Sequence, residues 1–330
     1  MSLTTDSAVC PTCANQLEAL KKFTTIVADT SDFAAIAAFK PTDATTNPSL
    51  ILAAATDPKY QDLVDSAVKT AQGLPLSKRN RLQAALELVF VNFGEAILKI
   101  IPGRVSVEVD AKDSFDTRKS VEKARRLVRL FEERKISKER LLIKLASTWE
   151  GIQAAKILEK ENIRCNLTLL FSLPQAIAAA QAHATLISPF VGRILDWHLK
   201  NAPQTFLPHE DPGVISLKAI FNYYKKFSLP TEIMGASFRN AGQILELAGC
   251  DLLTISPALL ETLQKQTDPI SLKLSQADAL KLPLKPQKIN EKKFRYLLNA
   301  DPMASDKLAE GIRRFVLDLE KLETLLKARI

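Results

Sequence analysis

The stretch LLIKLASTWEGIQAAKILEKENIRCNLTLLFS, residues 141–172, decides the fold. Two short apolar runs, LLIKLAST (141–148) and RCNLTLLFS (164–172), enclose the amphipathic stretch GIQAAKILEKEN (151–162). The order strand, helix, strand indicates two parallel strands joined by a helical crossover, because parallel strands need a long connection.

The same alternation extends in both directions from this stretch. Six further runs predict strands: TTIVAD (24–29), DATT (43–46), RVSVEVD (104–110), TLISPFVG (185–192), TEIMGAS (231–237) and DLLTISP (251–257). Amphipathic segments lie between most of them, and SDKLAEGIRRFVLDLEKLETLLKARI (305–330) predicts a long closing helix.

Eight predicted strands favour a closed barrel over an open, doubly wound sheet. Doubly wound sheets have fewer strands and a glycine-rich first turn, whereas here the first strand is followed by DTSD (29–32), and the chain has only 10 glycines. The sequence therefore predicts an α/β protein with a single (β/α)8 TIM barrel and extra helices over residues 16–330. Residues 1–15 are predicted to be a flexible leader, and 268–290, rich in Pro and Lys, a surface loop.

Composition restricts the possible partners. The 330 residues are 46% hydrophobic and 25% charged, which excludes collagen-like and wholly disordered chains, and no apolar run is long enough to span a membrane. The net charge of +8 favours anionic partners. Without a dense basic tract or interleaved aromatic residues, small phosphorylated molecules are favoured over nucleic acid and membrane lipid.

The cysteines and histidines indicate no metal site. Cys10 and Cys13 have the CxxC spacing of zinc and redox sites, but no second pair completes a zinc set, and reduced thiols on the leader are the simpler interpretation. His183, His198 and His209 do not cluster with other ligands. We expect no metal and no cofactor. The N-terminus has no signal-peptide pattern, so we expect a cytoplasmic protein.

A barrel enzyme has its active site at the C-terminal ends of its strands. Lys144 is unusual there, because it stands among aliphatic residues in LLIKLAST. Burial disfavours an ammonium group and leaves a nucleophilic amine that can form a Schiff base with a ketone. The alternative is a lysine that points outward or pairs with a structural carboxylate.

Asp29 and Glu108 also lie on otherwise apolar strands. A buried carboxyl group without a partner is costly. Two carboxyl groups beside an amine can exchange protons while a carbinolamine forms and a C–C bond breaks. The alternative is an ion-pair network that only satisfies Lys144.

Other polar residues at strand ends predict contacts to a phosphorylated sugar. Arg193, Ser237 and Arg239 follow neighbouring strands, and guanidinium groups bind phosphate through paired hydrogen bonds. The alternative is two ordinary surface arginines. Asn166 and Thr168 share one face of a strand, and Thr45 and Asn47 are related in the same way. These four side chains would bind substrate hydroxyls or a water.

The chain resembles the transaldolase family from about residue 16 to the end. The resemblance rests on eight segments in the family's order: TTIVADTSDF, DATTNPSLIL, PGRVSVEVDA, LLIKLASTWEGIQAA, CNLTLLFS, LISPFVGRILDW, MGASFRN and LAGCDLLTISP. It implies a homodimeric barrel without a cofactor that transfers dihydroxyacetone from sedoheptulose 7-phosphate to glyceraldehyde 3-phosphate in the pentose phosphate pathway. The products would be erythrose 4-phosphate and fructose 6-phosphate.

The resemblance also implies a role for each candidate residue. Lys144 matches the Schiff-base lysine, Asp29 the acid/base, Glu108 a glutamate acting through a water, and Thr168 the threonine that holds this water. Residues that match the remaining positions are Thr45, Asn47, Asn166 and Ser188 at the donor site, Phe190 near the lysine, and Arg193, Ser237 and Arg239 at the phosphate.

Three alternatives remain open from sequence. A fructose 6-phosphate aldolase would release dihydroxyacetone instead of transferring it. A non-catalytic barrel would bind polyanions and form no covalent adduct. A redox-regulated enzyme would use Cys10 and Cys13.

Overall fold

Eight parallel strands close into a barrel in the computed structural model, which describes residues 13–330. In chain order they are β1 (Thr25–Asp29), β2 (Asp43–Thr45), β3 (Val105–Glu108), β4 (Leu141–Ala146), β5 (Cys165–Leu170), β6 (Leu186–Pro189), β7 (Glu232–Gly235) and β8 (Leu252–Ile255). Each strand pairs with the next, and β1 pairs with β8. The predicted (β/α)8 barrel is confirmed.

Helices surround the barrel and connect its strands. Those of the described residues are α1 (Gln16–Leu20), α2 (Phe33–Phe39), α3 (Pro48–Thr56), α4 (Gln61–Gln72), α5 (Lys78–Leu98), α6 (Thr117–Glu132), α7 (Trp149–Lys160), α8 (Leu173–Gln181), α9 (Val191–Asn201), α10 (Pro212–Lys226), α11 (Ala241–Leu245), α12 (Pro257–Lys265), α13 (Gln276–Lys281), α14 (Glu291–Ala300) and α15 (Pro302–Lys327). In this part of the chain, none of them has the length and apolar character needed to traverse a lipid bilayer.

The barrel interior changes from apolar to polar along the strands. Five buried side chains form an apolar cluster of their own, separate from the main core: Val27, Leu142, Leu186, Met234 and Leu252. Successive side chains of a strand point to opposite faces, so the residue two positions after Leu142, which is Lys144, shares its face. Inside the barrel, the charged side chain of Lys144 therefore lies next to this apolar cluster, towards the C-terminal ends of the strands.

Helix caps fix the backbone just beyond the strand ends. The Asn47 side-chain oxygen accepts a hydrogen bond of 3.0 Å from the Leu50 amide and starts α3. The Thr148 hydroxyl accepts one of 2.9 Å from the Gly151 amide and starts α7. Because each cap satisfies an amide that has no partner within its helix, these turns are short and ordered.

The C-terminal helix α15 packs over the end of the barrel that carries the polar side chains. Its Phe315 contributes to the same pocket as Lys144. The Ser49 hydroxyl at the start of α3 donates to the Asp318 carboxylate of α15. Gly311 of α15 lies against Leu169 of β5. The long helix predicted for 305–330 is confirmed, and its position narrows the barrel mouth.

Two predictions differ most from the structure, the end of the sixth strand and the loop at 268–290. The strand predicted for 185–192 ends at Pro189, and α9 begins at Val191. The Val191 and Gly192 amides have no partner within the helix. They donate instead to the carbonyls of Ala236 and Ser237, just after β7, as strand amides would, so the run resembles a strand to its end. The loop predicted for 268–290 contains α13, which the Ser275 hydroxyl caps. The Cys10–Cys13 pair extends outside the described residues.

Candidate active site

Lys144 lies inside the barrel beside a carboxylate. Only 4% of Lys144 is exposed, and its Nζ lies 3.2 Å from Glu108 Oε2 on the neighbouring strand. The same Nζ donates a hydrogen bond of 2.9 Å to the Thr46 carbonyl. Burial raises the pKa of Glu108, and the positive charges of Lys144 and Arg193 oppose the shift. The Lys144 amine is therefore held away from bulk water and next to the Glu108 carboxyl group, with which it can exchange protons.

Asp29 stands at the end of β1 within a chain of hydroxyl groups. The Thr45 hydroxyl lies 3.1 Å from Asp29 Oδ1, to which it donates, and 2.9 Å from the Thr254 hydroxyl. Burial raises the pKa of Asp29, while the charge of Lys144 and the hydrogen bond from Thr45 lower it by less. Asp29 can therefore take up a proton more readily than an exposed aspartate.

Two further strands contribute a fully buried polar pair. The Ser188 hydroxyl donates to Asn166 Oδ1 at 2.6 Å, and Asn166 Nδ2 donates to the Ser106 hydroxyl at 3.1 Å. Asn166 also pairs with Lys144 across the β4–β5 ladder. The network holds these amide and hydroxyl groups in fixed orientations beside the amine.

Two buried oxygens in this region have no hydrogen-bond partner among the described residues: Thr168 Oγ1 and Glu108 Oε2. Glu108 Oε2 forms the ion pair with the Lys144 amine, so of these two atoms only the Thr168 hydroxyl oxygen has no polar partner. A buried polar atom without a partner is costly and indicates a place for a water or a ligand group. Both atoms belong to residues that the sequence had selected.

The two arginines of the predicted phosphate site differ in their surroundings. The Arg193 guanidinium lies 5.0 Å from the ring centre of Phe190 and 5.7 Å from that of Phe315. No hydrogen bond or ion pair engages it within residues 13–330. Burial, with Arg314 and Arg239 nearby, lowers its pKa to about 10, so it remains a cation at neutral pH with its N–H groups available to an anion.

Arg239, by contrast, is engaged by its neighbours. Its guanidinium forms an ion pair with Asp196 of α9 and donates at 3.1 Å to the Ser237 carbonyl. Ser237 has a φ of 62°, the left-handed region, which costs energy for a residue other than glycine. Such strain is characteristic of functional sites.

A single pocket brings most of the predicted residues together. Its walls include nine of them: Asp29, Thr45, Asn47, Lys144, Thr168, Ser188, Phe190, Arg193 and Ser237. The other three are outside the wall but each contacts a wall residue: Glu108 contacts Lys144, Asn166 contacts Ser188, and Arg239 contacts Ser237.

The wall also contains four residues that sequence reasoning did not select for the site: Met234, Ala236, Thr254 and Phe315. Thr254 carried a usable signal, because it is a polar residue near the end of the eighth strand. Phe315 carried none, because it is one of many apolar residues in a long amphipathic helix.

Comparison with known proteins agrees with this geometry. The family model described as Transaldolase/Fructose-6-phosphate aldolase matches residues 26–326. A "Probable transaldolase" of Drosophila melanogaster is 57% identical over 313 residues, which cover 94% of this chain and 95% of the relative. The transaldolase of Sus scrofa is 56% identical over 316 residues, 95% of this chain and 94% of the relative.

A bacterial relative is equally similar. The transaldolase of Mannheimia succiniciproducens is 54% identical over 316 residues, which cover 96% of this chain and 99% of the relative. The matches span the whole barrel, including every strand that carries a wall residue of the pocket. The chain therefore belongs to the transaldolase/fructose-6-phosphate aldolase family.

Proposed function

We propose that this chain is a transaldolase that works through a Schiff base on Lys144. It moves a dihydroxyacetone unit from sedoheptulose 7-phosphate to glyceraldehyde 3-phosphate and so forms erythrose 4-phosphate and fructose 6-phosphate. The observation that carries the proposal is the buried Lys144 amine, 3.2 Å from Glu108 and in one pocket with Asp29. The names of the relatives support the same activity.

The first step joins substrate and protein. The Lys144 amine attacks the C2 carbonyl of the ketose, and the resulting carbinolamine loses its hydroxyl as water to give an imine. Glu108 supplies the proton for that loss through a bound water. The Thr168 hydroxyl, which has no hydrogen-bond partner among residues 13–330, supports a water at this position. A carboxyl group whose pKa is raised by burial is a suitable proton donor.

The second step breaks the carbon chain. Asp29 removes the proton of the C4 hydroxyl, the C3–C4 bond breaks, and the aldose leaves as an aldehyde. The electron pair of the broken bond moves towards the imine nitrogen and is stored as an enamine. The incoming aldehyde is then attacked by the enamine, and the proton transfers run in reverse.

Transfer requires the three-carbon adduct to stay in place while the aldoses exchange. The Asn166–Ser188 pair, with Thr45 and Asn47, binds the hydroxyl groups of the adduct. Their fixed orientations support this role. Arg193, Ser237 and Arg239 bind the phosphate of each sugar in turn, and Phe190 orients the Arg193 guanidinium.

An acceptor-dependence experiment tests this function against the aldolase alternative. The protein is incubated with fructose 6-phosphate, with and without erythrose 4-phosphate, and the products are separated. Without the acceptor we expect no more than one equivalent of glyceraldehyde 3-phosphate per protein, released when the adduct forms, and with the acceptor we expect continued formation of sedoheptulose 7-phosphate and glyceraldehyde 3-phosphate. Steady release of free dihydroxyacetone without an acceptor would assign the chain to the aldolase activity instead.

Three coarser features complete the proposal. Residues 16–330 act as one domain, the chain forms a homodimer, and the protein is cytoplasmic. The continuous barrel supports the first, and the family resemblance supports the second. Buried thiols at Cys165 and Cys250 without a disulfide fit the reducing conditions of the cytoplasm. Sedimentation equilibrium tests the dimer: a mass of twice 36.5 kDa is expected.

A further inference from the structure

Asp196 binds one edge of the Arg239 guanidinium. Arg239 Nε donates to Asp196 Oδ1 at 3.0 Å, and Nη2 donates to Asp196 Oδ2 at 2.6 Å. This is the paired arrangement in which a carboxylate fixes both the position and the plane of a guanidinium group. Asp196 lies on α9, outside the pocket wall, and sequence reasoning did not select it.

The rest of the Arg239 side chain is confined by α9 and β7. Its Nη1 donates to the Ser237 carbonyl at 3.1 Å and, at 3.4 Å, to both the Ser237 hydroxyl and the Phe238 carbonyl. Its stem lies so close to Gly192 that a Cβ on that glycine would be 2.8 Å from Arg239 Cγ. The Nη1 side is therefore turned towards Ser237, a pocket residue, while Asp196 occupies the opposite edge.

Without Asp196, no residue of the described chain, 13–330, would hold the Nε–Nη2 edge of this guanidinium. Arg193 differs, because the rings of Phe190 and Phe315 flank it and it is less exposed than Arg239. The side chains of Arg239 and Asp196 are 39% and 40% exposed. An exposed arginine has many rotamers, and ordering it when a ligand binds reduces affinity.

We propose that Asp196 is a positioning residue that holds Arg239 ready for the phosphate of the substrate and so favours phosphorylated over unphosphorylated sugars. This inference rests on the proposed function of the pocket. Asp196 acts through Arg239 and contacts no substrate. Its negative charge by itself would weaken the binding of an anion, so the direction of the effect separates positioning from simple charge.

The test compares two acceptors of the same reaction, glyceraldehyde 3-phosphate and unphosphorylated glyceraldehyde. In Asp196→Asn, an NH2 group that cannot accept replaces one carboxylate oxygen, so the paired hydrogen bonds to Arg239 Nε and Nη2, one on each oxygen, are lost. We expect the KM for glyceraldehyde 3-phosphate to rise about fivefold to tenfold, as for a lost charge-assisted contact, with kcat almost unchanged. The KM for glyceraldehyde should remain unchanged, and Asp196→Glu should restore part of the loss.

Asp306→Asn is the matched control. Asp306 is a carboxylate at the start of α15 that accepts a hydrogen bond of 2.9 Å from Trp197, the residue next to Asp196, and makes no contact with Arg239. The Asp306→Asn substitution removes one negative charge from the same region as Asp196→Asn does. We expect it to leave both KM values unchanged. An equal rise in KM in both variants would attribute the loss to a general disturbance around α9, not to the Asp196–Arg239 pair, and would overturn the proposal.

A double variant tests whether Asp196 acts through Arg239. In an Arg239→Ala background, Asp196→Asn should cause no further loss, because coupled residues are not additive. A further loss, an unchanged or lower KM in Asp196→Asn alone, or equal losses with both acceptors would each overturn the inference. Failure of the proposed function is a different result, since the unmodified protein would then transfer nothing to either acceptor.

Discussion

Among single residues, Asp29 shows most clearly how burial prepares a group for chemistry. Its carboxyl group is surrounded by protein, and desolvation raises its pKa more than Lys144 and Thr45 lower it. A raised pKa means that the folded protein binds this proton more tightly than the unfolded chain. Keeping Asp29 charged at neutral pH therefore reduces the stability of the protein.

Asp29→Asn is predicted to separate stability from activity. Below pH 3.8, the carboxyl group is protonated in both states and costs nothing. As the pH rises through the raised pKa of the folded state, the unmodified protein loses stability that the asparagine variant retains. We expect the variant to unfold at a higher urea concentration at pH 7, with the difference shrinking towards pH 4.

The same variant should slow turnover by about 10²- to 10⁴-fold, the range for a lost general base. Trapping with borohydride should still give a covalent adduct, because Asp29 acts after the imine forms. A variant that is less stable than the unmodified protein at pH 7 would contradict this account of Asp29.

Arg193 depends on its shape as well as its charge. The guanidinium lies against two aromatic rings, a contact that a planar cation makes better than an ammonium group. Arg193→Lys keeps the charge but loses the planar fork. We predict a rise of about tenfold in the KM for fructose 6-phosphate, measured in the transfer assay. Arg118→Lys, on the exposed side of α6, is the control and should change nothing.

Among the elements, β5 and α15 show how secondary structure orients the side chains of the pocket. The register of β5 against β6 shifts between Leu167 and Leu170, and Leu169 has a φ of 52°. A bulge of this kind redirects the neighbouring side chain, here Thr168. The Gln175 side chain donates to the Leu169 carbonyl at 3.3 Å and to the Ser147 carbonyl at 2.9 Å, which stabilises the bulge.

Gly311→Ala should disturb both elements together. A Cβ at this position would lie 2.6 Å from Leu169 and 3.2 Å from the Arg193 guanidinium. Because either α15 or the fully buried Leu169 side chain must shift to accommodate it, we predict a loss of about 1–3 kcal/mol in the free energy of unfolding, although alanine is the better helix former. The KM for phosphorylated sugars should also rise.

Gly73→Ala is the control for this substitution. Gly73 ends α4, and the nearest atom to its Cβ would be 3.5 Å away, an ordinary contact. Urea unfolding should show no loss of stability for this variant. If Gly311→Ala were as stable and as active as the unmodified protein, the close packing of α15 on Leu169 would not contribute to stability or to the shape of the pocket.

For the whole molecule, the barrel explains why so many residues of the candidate site could be selected from the sequence. Parallel strands end at one edge, so polar residues in the C-terminal halves of apolar strands, such as Asp29, Lys144 and Thr168, converge. That inference needs only the order of the elements. All twelve predicted residues line the pocket or touch a residue that does.

What the sequence could not predict comes from packing between distant segments. Phe315 reaches the pocket only because α15 packs over the barrel mouth, and Asp196 is one of several charged residues on α9 until Arg239 is placed beside it. Neither contact produces a periodic pattern in the sequence. The end of β6 was also missed, because the first-turn amides of α9 bond to carbonyls as strand amides do.

The most direct test of the account is to trap the adduct on Lys144. The protein is incubated with fructose 6-phosphate, reduced with borohydride, digested, and analysed by mass spectrometry. We predict a three-carbon adduct on Lys144, its absence in Lys144→Ala, and normal labelling in Lys218→Ala, which removes an ion-paired lysine of α10. An adduct on any other lysine, or one that persists in Lys144→Ala, would contradict the account.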